Sequence, residues 1–460
     1  MTDSDVTGDD TTDEDYGPDD RRVSAIREAI EAEDAARLTE LLEPLHPADI
    51  ADVIEQIGTN DRRALLDLWS GQIDGEILSE IDEGIREEVV GYLPDDVLAD
   101  AVRELESDDV VDILEDLEEP QQGIILNALE AADRVAVEQA MSYPEYSAGR
   151  LMQREVVVAP EHWTVGETVN FLRSEEWLPD QFYHVILVDP RMHPVGYVTL
   201  GKLLAAKRTV KLQEISEDSF RTIGVLDEEG DVAYLFNQYH LISAPVVDEN
   251  DRLVGVITID DAMSVLAEEN EEDILRLAGV GESSLSDRVF ETTRQRLPWL
   301  AVNLATAILA SMVIGIFEGT IQQIVALAIL MPIVASMGGN AGTQTLTVVV
   351  RAIATRDLTR SNLWRIVGRE AIVGLINGLA FAVIMGVVGW IWFSLPMIGV
   401  VIGLAMVVNM VVAGLSGILI PVAMDKTGVD PALASGTFVT TMTDVVGFFA
   451  FLGLAGILLL

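Results

Sequence analysis

The sequence predicts a multidomain membrane protein: an α-helical superhelix, an α/β module made of a repeated unit, a connecting helix and a five-helix α transmembrane domain. Three observations predict it. The 460 residues are 49% hydrophobic, yet 76 Asp+Glu face only 29 Lys+Arg, for a net charge of −47. From Glu291 onward there are eight basic and seven acidic residues, so the first 290 carry 21 basic against 69 acidic. One end is therefore a soluble polyanion and the other is apolar enough for a bilayer. Finally, a β-rich segment repeats itself at a spacing of 59 residues.

The first element, residues 1–21, is acidic with no apolar core, which predicts a disordered tail and not a signal peptide. The soluble part is then expected in the cytosol. Residues 22–148 read as short amphipathic helices separated by Pro or Gly. Three stretches resemble one another: 46–57, 93–105 and 107–117, each with a Pro or Ser cap and an acidic first turn. Weakly similar helix pairs suggest a helical superhelix. Their acids Asp95, Asp96, Asp108 and Asp109 either offset helix dipoles or hold a cation.

At Leu151 the pattern turns to short β-rich runs. HVILVDPRMHPVGYVTLGKLL (184–204) aligns with SAPVVDENDRLVGVITIDDAM (243–263), each reading strand, acidic turn, strand, helix. Two such strand pairs are expected to pack on each other. The unit looks like a tandem CBS-domain pair, a regulatory module, divided at 149–212 and 213–267. Residues 268–293 form a connector in which Glu268, Glu269, Glu271, Glu272 and Asp273 precede an apolar side of Ile274, Leu275 and Leu277. It is either a solvated charge run or a coupling helix.

Within 294–460, apolar stretches at about 298–317, 321–338, 367–394, 396–424 and 431–460 predict five spans. Arg351, Arg356, Arg360, Arg365 and Arg369 crowd the connection between the second and third. The positive-inside rule then places the N-terminal domains in the cytoplasm and Leu460 outside. The fifth span carries Asp444, with Thr437, Thr440, Thr441 and Gly447 at helical offsets that share a face. A carboxylate within a span marks an ion path or proton relay unless it pairs with another helix. Pro332 and the run Gly338-Gly339-Asn340-Ala341-Gly342 are expected to break the second span, with close glycine packing as the alternative. Asn340, Gln344, Thr347 and Arg351 continue on one stripe. Asn409 and Ser416 add to a polar core or make ordinary interhelical hydrogen bonds. Oxygen donors of this kind suit Mg²⁺ or Ca²⁺ and fit soft metals poorly.

Composition excludes several alternatives. A strongly acidic domain repels nucleic acid. With no Cys there is no disulfide, thiolate nucleophile or zinc–thiolate site. An intramembrane metalloprotease needs His at membrane depth; all five His (46, 162, 184, 193, 240) precede the spans, and there is no HExxH. No GxxxxGK[ST] loop is present either. The acid excess with only four Lys suggests a halophile, since molar salt screens charge within about 3 Å.

At GGNAGTQ (338–344), TVVVRAIATRD (347–357) and GVDPALASGTFVTTMTDVVGFF (428–449), the chain closely resembles the MgtE family of magnesium transporters. The order of parts agrees over roughly 25–460. The resemblance implies a homodimeric Mg²⁺-selective channel of the cell membrane, passive and gated by cytosolic Mg²⁺. In it Asp444 matches the pore aspartate and Asn340 the asparagine of the Gly-Gly-Asn segment, with Thr440 and Thr441 beside the path. Glu269, Glu272 and Asp273 match acidic positions of the connecting ("plug") helix, Asp261 a CBS carboxylate and Asp430 an acid at the cytosolic mouth. Asp95 and Asp96 are further candidate Mg²⁺ ligands. ATP is a candidate ligand of the CBS pair. Gly230 departs from the pattern where an acid is expected. The alternatives are a broader divalent transporter (Mn²⁺, Co²⁺ or Ca²⁺), proton coupling through Asp444, and a sensor that binds without transporting.

Overall fold

The computed structural model describes residues 20–103, 105–175, 177–179, 181–217, 220–280 and 289–460. The expected acidic tail lies outside the described residues except for its last two, and so do residues 281–288 of the connector. The chain divides into two compact units, Met1–Leu266 and Ala267–Leu460.

Among the described residues the first unit begins with ten α-helices: α1 (Asp20–Glu31), α2 (Ala35–Leu42), α3 (Pro47–Gln56), α4 (Thr59–Trp69), α5 (Gly75–Ser79), α6 (Glu83–Tyr92), α7 (Asp95–Val102), α8 (Ser107–Glu115), α9 (Glu119–Ala128) and α10 (Ala131–Ala140). Each is too short to be stable in isolation. Their apolar faces meet in one continuous core from Val23 to Ala140, including Ile26, Leu38, Ile54, Leu65, Leu78 and Ile113. Two arginines inside this layer were not legible from helical spacing. Arg62 is 4% exposed and donates through Nε to the carbonyl of Ile54 at 2.9 Å and through Nη2 to Ile57 at 3.2 Å, closing the end of α3. Arg86 is equally buried; it caps Ile81 O at 3.0 Å and pairs with Asp112 at 2.9 Å and Asp116 at 2.5 Å. A buried guanidinium is tolerated because nearly every donor finds an oxygen.

The α/β part follows as α11 (Ala148–Leu151), β1 (Val158–Pro160), α12 (Val165–Ser174), β2 (His184–Val188), β3 (Pro194–Thr199), α13 (Leu200–Ala205), β4 (Ile223–Gly224), α14 (Glu229–Tyr239), β5 (Ser243–Val247), β6 (Leu253–Thr258) and α15 (Ile259–Leu277). Among the described residues it contains two three-stranded sheets, ordered β1-β2-β3 and β4-β5-β6, each pairing its first two strands parallel and its last two antiparallel. The 59-residue repeat is thus a structural one. Its equivalent residues His184 and Ser243 meet, Nδ1 against Oγ. Leu253, Val256, Ile186 and Val188 share a core between the sheets. The Asp227–Gly230 turn is spent on structure: Asp227 accepts from Gly224 N at 2.8 Å and Glu228 precedes α14.

In the second unit, α16 (Val289–Ile316), α17 (Glu318–Gln323), α18 (Ala326–Ala354), α19 (Leu363–Phe393), α20 (Pro396–Thr427) and α21 (Pro431–Leu458) follow the end of α15. Among the described residues, five helices are long and apolar enough to cross a membrane: Thr292–Ile316, Ala326–Ala354, Leu363–Phe393, Pro396–Thr427 and Ser435–Leu458. The fourth is the most buried and forms the axis of the bundle.

The expected break in span two does not occur. Residues 326–354 are one unbroken α-helix through Pro332 and the glycine run. A helix satisfies its own backbone groups, which an apolar slab demands. The glycines serve close packing instead. A methyl group on Gly338 would lie 2.2 Å from Asn409 Nδ2, and one on Gly342 would lie 2.6 Å from Val439 Cγ1. The same reason makes span two longer than read from sequence. Small residues also join α19 to α20, where Gly374, Gly378, Gly399 and Gly403 abut facing backbone.

Candidate functional site: an ion path and two acidic clusters

Asp444 sits in α21, ten residues into the fifth span, about 14 Å from its start at 1.5 Å per residue. It is half-buried, and no described side chain pairs with it. Beside it, Thr440 Oγ1 donates to Gly436 O at 2.8 Å and Thr441 Oγ1 to Thr437 O at 2.6 Å. Each hydroxyl thus spends its hydrogen on its own helix and turns its oxygen lone pairs outward, as a cation or its water requires. Thr437 instead donates to Asn303 Oδ1 of α16 at 2.6 Å, which brings the first span to this face. Asn303 was missed in the sequence because a lone amide in an apolar span has no periodic signal.

Span two supplies the facing surface. A Cβ on Gly339 would stand 3.8 Å from Thr440 Cγ2, so the glycine run lies against the threonine face of span five. Asn340 follows it and is exposed, as are Gln344, Thr347 and Arg351 along the expected stripe. Asn409 is fully buried and donates to Val334 O at 2.8 Å. Ser416, by contrast, bonds within its own helix to Val412 O, and so makes no interhelical hydrogen bond.

At the start of span five, Asp430 caps α21 by accepting from Ala432 N at 2.8 Å. Arg276 of α15 pairs with it at 3.3 Å and with Glu272 at 2.6 Å. Asp273 is half-buried beside this group; burial, then the Asp430 and Glu269 charges, push its carboxyl up, while Arg276 opposes. Glu269 is exposed. Leu277 packs against the cluster of Leu346, Val350, Ala432 and Val439, anchoring the connector to spans two and five.

A second acidic cluster forms in the first unit. Ser107, expected to cap α8, is its first helical residue, and Glu106 takes the cap position. The freed Ser107 hydroxyl donates to Glu155 Oε2 at 2.9 Å and accepts from Arg154 N at 2.8 Å. This brings Glu106, Asp108 and Asp109 within electrostatic reach of Asp260 and Asp261, at the start of α15. Thr258 Oγ1 holds Asp261 Oδ2 at 2.7 Å. Burial first, and then the neighbouring carboxylates, push Glu106 and Asp109 up to about 7. Asp108 and Asp261 are raised for the same reasons. Asp95 and Asp96 are exposed in the first turn of α7 and are not among the charges acting on this cluster. They fit the helix-dipole role.

No three His, Asp or Glu side chains among the described residues stand in ready-made metal geometry. The clusters suit a cation that keeps its own water, as Mg²⁺ does, better than one stripped bare.

Residues 331–454 match the family described as MgtE, divalent cation transporter; residues 45–146 match the MgtE intracellular N domain; residues 148–208 and 220–268 match the CBS domain. The chain is 31% identical over 445 residues to the magnesium transporter MgtE of Thermus thermophilus, covering 95% of this chain and 98% of that one. It is 31% identical over 331 residues to magnesium transporter MgtE of Bacillus subtilis, covering 72% and 73%. A crystal structure of the cytosolic domain of the Mg²⁺ channel MgtE in complex with ATP aligns with 53% of this chain and 99% of that one, at 30% identity and a TM-score of 0.49.

Proposed function

The chain belongs to the MgtE family of magnesium transporters and moves Mg²⁺ across a membrane; we propose that it does so as a passive homodimeric channel gated by cytosolic Mg²⁺. The observation that carries this reading is Asp444. It is a carboxylate within a span, without a protein cation among the described residues, on a face of outward-turned hydroxyl oxygens. Two copies around one path would balance a divalent charge. At 100 mV, negative inside, the potential supplies about 4.6 kcal/mol for two charges, roughly a 2000-fold gradient, so no nucleotide hydrolysis is needed. The first unit and connector face the cytoplasm in this reading, and Leu460 lies outside.

Gating follows from charge. Glu106, Asp108, Asp109, Asp260 and Asp261 repel one another unless a cation or proton intervenes. Glu269, Glu272, Asp273 and Asp430 form the matching group at the mouth. Mg²⁺ bridging these groups holds the closed arrangement, and its loss lets them part. ATP fits a secondary role. The cleft lined by Gln153, Glu155, Tyr183, His184, Ser243 and Thr258 offers ring and hydroxyl contacts, and its acidic neighbours would favour the nucleotide as its Mg²⁺ complex.

The test is Mg²⁺ uptake into proteoliposomes in molar KCl, negative inside, by wild type and Asp444→Ala. Potential-driven uptake that falls to the liposome leak in the variant is expected. Equal uptake by the two proteins would refute the path through span five. Competing Ca²⁺ or Mn²⁺ and a pH series in the same liposomes separate a Mg²⁺ channel from a broader or proton-coupled transporter.

A further inference from the structure

Asn409 is 0% exposed in the most buried span, and its two amide atoms are treated differently. Nδ2 donates to Val334 O of α18 at 2.8 Å. Oδ1 is buried, and no described residue donates to it. A buried acceptor without a donor costs stability, and an apolar residue of similar size would avoid that cost. Its position indicates what the amide does there. A methyl on Gly338 of α18 would stand 2.2 Å from Nδ2, and one on Gly447 of α21 would stand 2.9 Å from Nδ2 and 3.1 Å from Oδ1. The amide is thus a wedge with one glycine on either side, hydrogen-bonded to one of the two helices. Asn340 follows Gly338 by two residues, and Asp444 precedes Gly447 by three. The two helices that carry the candidate path are therefore spaced, less than a turn from its key residues, by a side chain on a third helix.

We propose that Asn409 is a positioning residue for the ion path: wedged between Gly338 and Gly447, it fixes the separation and register of the helices bearing Asn340 and Asp444, and so which cation passes. The inference rests on the path through span five proposed above. It adds that selectivity is set from outside that path, by packing. Mg²⁺ and Ca²⁺ prefer oxygens at about 2.1 and 2.3–2.6 Å, so a shift of a few tenths of an ångström discriminates between them.

The natural chain has no cysteine, which allows a direct ruler. A Gly339→Cys/Thr440→Cys pair reports the contact between the two helices, where a Cβ at 339 stands 3.8 Å from Thr440 Cγ2. Cross-linking by a mild oxidant is followed in full-length protein with Asn409 intact and with Asn409→Ala. Uptake of Mg²⁺ and Ca²⁺ is measured in proteins without the cysteines. The expected result is a several-fold change in cross-linking rate and a loss of roughly tenfold in Mg²⁺ preference, within the cost of an ångström's misplacement in a positioned site. Adding Gly338→Ala to Asn409→Ala refills the gap and restores part of both. A correctly inserted Asn409→Ala with unchanged cross-linking and unchanged preference would overturn the proposal. If Asn409→Ala does not insert, Gly338→Ala alone decides: its methyl displaces the amide, so unchanged values again overturn it. Absence of Mg²⁺ uptake by wild type, or its persistence in Asp444→Ala, would instead strike the path and not the wedge.

Discussion

The two acidic clusters differ in one component. At the mouth of span five, Glu272 and Asp430 share Arg276, a cation belonging to the chain itself. Between α8 and the start of α15, the largest influences on Glu106, Asp108 and Asp109 are burial and one another's and Asp261's carboxylates. The nearby Arg86 is committed to Asp112 and Asp116. The mouth is therefore partly neutral before any ion arrives, whereas burial and mutual repulsion in the other cluster favour protons or cations there. The proposed gate then has two stages: a cluster in the first unit that senses Mg²⁺ strongly, and a connector in the second already tethered by an ion pair and by Leu277.

The largest expected effect breaks the contrast at the cluster in the first unit. With Mg²⁺ at 100 times its Kd, binding adds about 2.7 kcal/mol to the folded state. Asp109→Asn/Asp261→Asn should remove most of that increment in full-length protein and raise the melting temperature in EDTA. An Mg²⁺-induced shift equal to wild type's would remove the cluster from the sensing role.

A smaller effect is expected from pH. Glu106 and Asp109 have folded pKa values of about 7, above those of the unfolded chain. Their stabilising contribution is complete below about pH 4 and is lost as pH rises through 7. Both side chains are partly exposed, so screening reduces the pair's contribution to about 1–2 kcal/mol. Melting in EDTA should fall between pH 4 and 7.5, and Mg²⁺ should flatten the fall. A melting temperature that rises over this interval in EDTA would contradict the assignment.

Smallest is Arg276→Gln. A half-exposed ion pair is worth about 0.5–1 kcal/mol, so the Mg²⁺ concentration that halves uptake should rise roughly two- to fivefold. No change would mean that Leu277 and its apolar neighbours alone hold the connector. A fall would mean that Arg276 opposes closure.

Much of this organisation was legible in the chain. Five spans follow from apolar length, because a bilayer imposes that length on any sequence crossing it. The repeat at 184–204 and 243–263 became two sheets of the same order because each copy carries the same succession of strand, acidic turn, strand and helix. Asp444 stood out because an acid in a span is rare enough to read alone. The glycine run of span two reads as a break with close packing as the alternative, and the alternative holds. Glycine at a helix–helix contact and glycine at a helix end look alike until the neighbour is known, and here the neighbours are Asn409 and Val439.

By itself, then, the sequence determined the order of domains, the number of spans and the presence of hard oxygen donors, all of which depend on local composition and period. Only the tertiary structure decided which acids meet. Asp108 and Asp261 lie more than 150 positions apart, while Asp95, a near neighbour of Asp108 in sequence, stays exposed in the first turn of α7. It likewise decided that Asn409 spaces two helices and that Arg276 reaches Asp430. Charge and packing act through distance in space, which the spacing of residues along a chain does not record.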